Sequence, residues 1–297
     1  MDGVKYCLEG AFDLHVHTAP DVMERKLDDI DLARMMRDKN MGGFVIKSHH
    51  STTYGRAKLT SKIVQGVKVY GSIALNNPLG GLNPQAVDTA GRMGAKVIWL
   101  PTIDAINEEG KFLNKDTSKL PYWAAIQKEL YEKNCLKPPV NLKDSSGHFK
   151  HEVGEILDFI KDYNMILATG HLHPNEGMEL IEYARQNGVN RIIATHPEFP
   201  TTKYTIDQQK ELASKGVYLE RCYTTPATNK VDWDYLYKEV EETGARHNIL
   251  STDLGQPQAL YPTEGLERFI GYFLKTGLTE EEVKKMTTEN QLKLLEG

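Results

Sequence analysis

The sequence predicts an α/β fold, a (β/α)8 TIM barrel, and three observations predict it. A short apolar run followed by an amphipathic stretch recurs eight times along the 297 residues. Glycine repeatedly marks the passage from an amphipathic stretch to the next apolar run. Single ionisable residues stand where several of those runs end, which is where barrel enzymes keep their reacting groups.

The runs cover residues 12–17, 43–47, 67–75, 96–100, 165–169, 191–195, 217–220 and 248–252. Each is short and largely uncharged on both faces, as strands buried in a parallel sheet are. Between them, 29–40 (Ile30, Leu32, Ala33, Met36) and 177–187 (Met178, Leu180, Ile181, Ala184) carry helical spacing. Gly42, Gly94, Gly188 and Gly216 stand where those helices should be capped. An open doubly wound sheet fits the alternation but gives no reason for eight similar units. Residues 103–150, after the fourth strand, are too long for a βα loop. They predict an insertion with a helix over 122–132 and a hairpin over 140–151, a candidate lid. No linker or repeat divides the chain, so residues 1–297 are expected to form one barrel domain.

Composition narrows the function classes. A formal charge of -5 supplies no basic stripe for nucleic acid. Cys7, Cys135 and Cys222 form no CxxC pair and no disulfide framework, as expected of a reducing compartment. The opening residues 1–5 lack a signal-peptide layout, and no apolar run nears the roughly 18 residues of a membrane span. A cytoplasmic protein with a small-molecule substrate is expected, without membrane or nucleic-acid partners. Barrels of this size often pair through their outer helices, so a homo-oligomer is expected.

The first strand ends Asp13-Leu14-His15-Val16-His17. Side chains two apart on a strand share a face, so His15 and His17 converge like half of a zinc-type site. Asp13, one layer deeper, either accepts a supporting hydrogen bond or fills the interior. The fifth strand runs into His171, the sixth into His196 and the eighth into Asp253. The second ends with Lys47 and His49 on one face. Glu220 ends the seventh, at the site or anchoring a neighbour, and Arg221 follows it. Arg25, Arg56 and Arg221 sit in or beside βα loops, where one can clamp a carboxylate or phosphate.

Taken together, Asp13–His17, Thr169-Gly170-His171, Thr195-His196-Pro197 and Ser251-Thr252-Asp253 make the chain resemble the amidohydrolase superfamily over most of its length. The tail 287–295, with Asn290 and paired leucines, resembles that superfamily's closing helix. The resemblance implies a metal-dependent hydrolase cleaving an amide, lactone, ester or related bond. In it His15, His17 and Asp253 bind one divalent ion. His171 and His196 bind a second or orient the substrate, and Asp253 and His196 are the catalytic pair. Asp253 takes a proton from the attacking water. One or two ions are implied, zinc first, with manganese, nickel, iron or cobalt sharing the same donors.

One departure stands out. Two-metal members bridge their ions with a carboxylated lysine or a glutamate on the fourth strand, and residues 97–102 offer neither. Lys47 is then either a bridging carbamate or a contact to an anionic substrate, and His49 an extra ligand, a substrate contact or a satisfied structural histidine. Glu220 and Arg221 are further candidate substrate contacts. Two rivals compete with this reading. A phosphoesterase of the polymerase-and-histidinol-phosphatase type shares the opening motif, but it closes on an Asp-x-His pair where this chain has Asp253-Leu254-Gly255. The other is a non-catalytic binding protein on the same scaffold.

Overall fold

A computed structural model describes residues 2–117 and 120–297. Met1, Ser118 and Lys119, which touch the readings of the chain start and of the insertion, lie outside the described residues.

The strands are β1 (Phe12–Val16), β2 (Gly43–Ile46), β3 (Lys68–Tyr70), β4 (Ser72–Ala74), β5 (Val97–Trp99), β6 (Ile166–Ala168), β7 (Ile192–Ala194), β8 (Tyr218–Cys222) and β9 (Asn248–Ser251). All pair in parallel, in the orders β1-β2-β3 and β4-β5-β6-β7-β8-β9. β3 and β4 are two halves of one stave, the single run expected over 67–75, broken at Gly71. A Cβ there would lie 2.1 Å from the Tyr54 backbone, so glycine is needed for that close approach. Below the break the stave pairs with β2, above it with β5. The other edges meet where Asp253 N donates to His15 O and His17 N to Leu254 O, both at 2.8 Å. Eight staves therefore close a barrel, as the sequence predicted.

The period-two rule explains the core. Trp99, Ala168, Ile193 and Ile249 fill the barrel interior, while Ile98, Leu167 and Ile192 face outward. Outside lie helices α1 (Asp2–Leu8), α2 (Asp29–Asp38), α3 (Tyr54–Ile63), α4 (Pro84–Arg92), α5 (Tyr122–Glu132), α6 (His151–Asp162), α7 (Pro174–Gln186), α8 (Ile206–Ser214), α9 (Thr224–Ala227), α10 (Trp233–Thr243), α11 (Pro262–Thr276), α12 (Glu280–Lys284) and α13 (Asn290–Glu296). Leu157, Ile160, Leu180 and Leu212 from this shell pack on the outward strand residues. Leu294 and Leu295 of α13 join the interior cluster with Phe12 and Val97. The expected closing helix thus plugs the floor of the barrel.

Three helix ends are capped by left-handed Gly94, Gly188 and Gly216 as expected. After α2 the left-handed residue is Asn40 instead, since asparagine tolerates that conformation, and Gly42 packs against Phe12. In the insertion, α5 covers the expected span. The hairpin shrinks to one antiparallel bridge, Lys143 to Phe149, because His151 begins α6 instead of closing a strand. Among the described residues no helix is long and apolar enough to cross a membrane.

Candidate metal centre

Five imidazoles form a closed ring at the carboxyl ends of the staves. Neighbouring centroids are 5.4 Å apart for His15–His17, 5.1 Å for His17–His49, 6.1 Å for His49–His171, 5.0 Å for His171–His196 and 6.2 Å for His196–His15. All five side chains are buried. The ring gathers β1, β2, β6 and β7, which are distant in sequence and adjacent only because the barrel closes. β1 carries a register slip between Asp13 and Val16, and within it the His15 ring packs at a tilt against Trp99, with centroids 4.7 Å apart.

Most of the rings are held from behind through Nδ1. His15 Nδ1 is 3.1 Å from Glu220 Oε2, and His49 Nδ1 is 2.8 Å from Thr102 Oγ1. His196 Nδ1 is 3.1 Å from Thr202 Oγ1. The Thr202 hydroxyl gives its own proton to His196 O, so its oxygen accepts from Nδ1–H. That tautomer leaves a lone pair on His196 Nε2. The Glu220 carboxylate does the same for His15, the support that metal-bound histidines usually have.

Asp253 Oδ1 lies 3.1 Å from both His15 Nε2 and His17 Nε2. The three donor atoms all lie within 4.8 Å of one another. A tetrahedral ion bound at about 2.0–2.2 Å separates its ligand atoms by about 3.3–3.6 Å, so this triad needs only a small expansion to hold one. Two imidazoles and a carboxylate, with Asp253 the most exposed of the three, leave a coordination position toward solvent. His15, Glu220 and Cys222 also come together. Burial and the Glu220 charge push the Cys222 thiol well above its ordinary value in the metal-free protein.

Electrostatics suit a cation. Burial holds His49, His171 and His196 below the ordinary imidazole value, in the neutral form that binds metals. Burial and the Arg25 guanidinium lower His17 to about 3. His15 is the exception: burial and Lys47 oppose its charge, yet Asp253 and Glu220 together raise it. Burial opposes ionisation of Asp253 too, but His15 and His17 hold it well below the usual carboxylate range. Backbone at His196 (φ 27°) and Asp253 (φ 53°) is left-handed, a cost of about 1–3 kcal/mol each for residues without that freedom. Gly170 (φ 61°) brings His171 in. A Cβ on it would meet Leu100 O at 2.4 Å.

The remaining sequence candidates divide. Lys47 is buried over the Trp99 ring, with Nζ 2.9 Å from His15 Nε2, and burial lowers its pKa. Arg25 Nη2 reaches within 3.4 Å of His17 Nδ1 while Asp21 holds the guanidinium. Arg56 turns back to the carbonyls of Thr18 and Pro20. Asp13 supports no ring. It accepts from His15 N and from Thr252 N, tying β1 to β9.

Arg221 is a correction. Adjacent to Glu220 on β8, it faces the opposite way and is buried among Glu198, Gln209, Glu239 and Asn248, so it cannot touch substrate. Sequence reasoning missed Thr102, Thr202 and Glu108, a buried insertion residue whose Oε1 is 3.5 Å from His171 Nδ1. None of the three lies on a strand, so strand periodicity gives no signal for them. Glu108 also lines a half-open cavity of about 310 Å³ within the insertion, with Phe112, Leu113, Leu136 and Pro138.

Fold and site together define a class: a closed parallel barrel carrying a histidine–aspartate cluster at the carboxyl ends of its strands. Solved structures share this fold at low sequence identity. An amidohydrolase from Pseudomonas aeruginosa is 9% identical with a TM-score of 0.65, over 98% of this chain and 97% of that one. An organophosphorus hydrolase from Deinococcus radiodurans is 15% identical with a TM-score of 0.59, over 98% and 93%. An amidohydrolase from Burkholderia multivorans, solved with bound HEPES, is 9% identical with a TM-score of 0.55, over 96% and 98%. No curated protein matches the sequence. The chain belongs to the family of unknown function DUF6282, whose model matches residues 10–220. That match ends on Glu220 and so takes in every imidazole of the ring but not Asp253.

Proposed function

We propose that the protein is a metal-dependent hydrolase of a small molecule, and the shared Asp253 carboxylate between His15 and His17 is the observation that carries it. His15, His17 and Asp253 would hold a divalent ion, zinc first among those that nitrogen and carboxylate donors suit. Such an ion lowers the pKa of bound water from 15.7 to about 7 and polarises the bond to be cleaved. Asp253, ionised and partly open to solvent, accepts the proton of the attacking water and returns it to the leaving group. His196 presents a lone pair rather than a proton at Nε2, so it accepts a hydrogen bond from substrate or joins a second ion. His171 and His49 line the same space. The fold likeness to hydrolases and the donor set support this reading together.

Lys47 decides the metal count. An ammonium 2.9 Å from His15 Nε2 opposes a dication at that same nitrogen. Loading the site therefore requires Lys47 to be neutral or carboxylated, and its burial favours losing the proton. Gly255, where a closing histidine would stand, disfavours the phosphoesterase rival. Exposed Leu59 and Ile63 on α3 support the homo-oligomer expected from sequence.

The test is elemental analysis of protein purified without chelator, followed by a panel of esters, lactones, amides and phosphotriesters. Stoichiometric metal with chelator-sensitive turnover is the expected result. Two ions reduced by Lys47→Ala identify a carbamate bridge, and one ion indifferent to it makes Lys47 a substrate contact. A metal-free chain after reconstitution overturns the mechanism.

A further inference from the structure

The insertion contributes one buried charge to the histidine ring. Its short helical turn Ile106–Glu108 lies across the loops that follow β6 and β7. Asn107 Nδ2 donates to His171 O at 3.1 Å and to Thr201 O at 2.6 Å. Thr201 Oγ1 in turn donates to Glu108 Oε1 at 2.6 Å. The turn is thereby fixed to both loops, and the Glu108 carboxylate is directed at His171.

Two ring members lack a close oxygen at Nδ1: His17, which faces Arg25 Nη2 at 3.4 Å, and His171, which faces a carboxylate. The His171 Nδ1 is buried and has no hydrogen-bond partner, with Glu108 Oε1 3.5 Å away. His15, His49 and His196 each have an oxygen at Nδ1 within 3.1 Å. Apart from Thr201, the charge near Glu108 is Lys111 Nζ, at 4.0 Å from Oε2. A buried carboxylate facing a buried, unpartnered imidazole nitrogen is costly unless the two bond. A closure of about half an ångström makes the bond, and catalytic hydrogen bonds in unliganded sites are often long until ligand binds.

We propose that Glu108 is a positioning residue, delivered by the insertion, that fixes His171 as the Nδ1–H tautomer and so aims its Nε2 lone pair into the centre. The insertion then completes the active site instead of merely covering it. The inference rests on the metal-centre reading for its purpose, but not for its test.

That test reads the tautomer directly in metal-free protein labelled with 15N-histidine, by long-range 1H–15N correlation. The His171 signals are assigned by their loss in His171→Asn. Wild type is expected as Nδ1–H. Glu108→Ala should move His171 several-fold toward Nε2–H, while Glu108→Gln, whose amide oxygen still accepts, retains most of the wild-type state. Glu109→Ala, exposed on the same turn, should change nothing. If Glu108→Ala does not fold, Thr201→Ala, which frees the carboxylate, should produce the same shift to a smaller extent. On a substrate identified separately, Glu108→Ala should lower kcat or ion affinity about ten- to a hundredfold, with Glu108→Gln recovering part of it. Nε2–H in wild type, or an unchanged tautomer in both folded Glu108→Ala and Thr201→Ala, overturns the proposal. The tautomer is readable whether or not the chain hydrolyses anything, so this inference and the hydrolase reading fail separately.

Discussion

Glu220 and Arg221 are consecutive residues on β8, both fully buried and both charged types, yet they serve opposite ends. Glu220 faces the barrel interior and the histidine ring. Arg221 faces the helical shell, where Asn248 Oδ1 (2.7 Å), Gln209 Oε1 (2.7 Å), Glu239 Oε2 (3.1 Å) and Glu198 Oε2 (3.3 Å) surround it. Gln209 also donates to Glu239, closing the network on itself. The inner cluster is the reverse. It leaves Glu220 Oε1 and His171 Nδ1 without partners, and left-handed backbone occurs at His196 and Asp253. A saturated buried network holds the fold, whereas an unsaturated one under strain is reserved for something that binds.

The comparison can be broken at four points, the first carrying the largest expected effect. Asp253→Asn should lower kcat by about 10²–10⁴ with little change in the urea midpoint. His15→Ala should remove the bound ion at a moderate cost in stability, since it empties a packed position and leaves Glu220 without its partner. A large stability loss in both would make the ring structural after all. Arg221→Ala should do the opposite: about 3–5 kcal/mol of unfolding free energy is lost because Glu198 and Glu239 stay buried without their cation. Metal content per folded chain, measured alongside by elemental analysis, should hold. If the metal goes while stability stays, the two regions have been assigned the wrong way round.

Glu220→Gln probes the boundary between them. Losing the carboxylate behind His15 should weaken ion affinity about 10–100-fold, read by competition with a chromophoric chelator, and unchanged affinity would leave Glu220 a filler. The smallest effect is a slope. Burial raises the Glu239 pKa above the ordinary 4.5 against the opposing pull of Arg221. The folded state then holds that proton more tightly than the unfolded one. This group's contribution to stability is complete below about 4.5 and declines as pH rises through the folded value. Unfolding free energy of wild type minus that of Glu239→Gln should therefore fall with pH above 4.5, and a rising difference would reverse the sign argument.

Much of the barrel was legible because each unit carries its own signal. Apolar runs on both faces mark buried parallel strands, and helical periodicity marks the shell. The hairpin expected over 140–151 was over-read, since Gly147 and its serines signal a turn but not how many pairs flank it. That His15, His17, His171, His196 and Asp253 gather at one end of the barrel was legible from strand-end position, and the period-two rule added the shared face of His15 with His17 and of Lys47 with His49. Glu220 and Arg221 were not separable as sequence. Adjacent strand residues face opposite sides, and which side is the interior depends on the register of the whole ring.

The sequence by itself determined the stave count, the helix faces and the ionisable residues waiting at the strand ends, because those follow from local periodicity. Tertiary structure alone decided that five imidazoles close into one ring, that Asp253 lies between His15 and His17, and that Glu108 reaches His171 from the insertion. These contacts join residues up to 238 positions apart, His15 and Asp253. Only closure of the barrel, which pairs the first stave with the last, brings them within 3.1 Å.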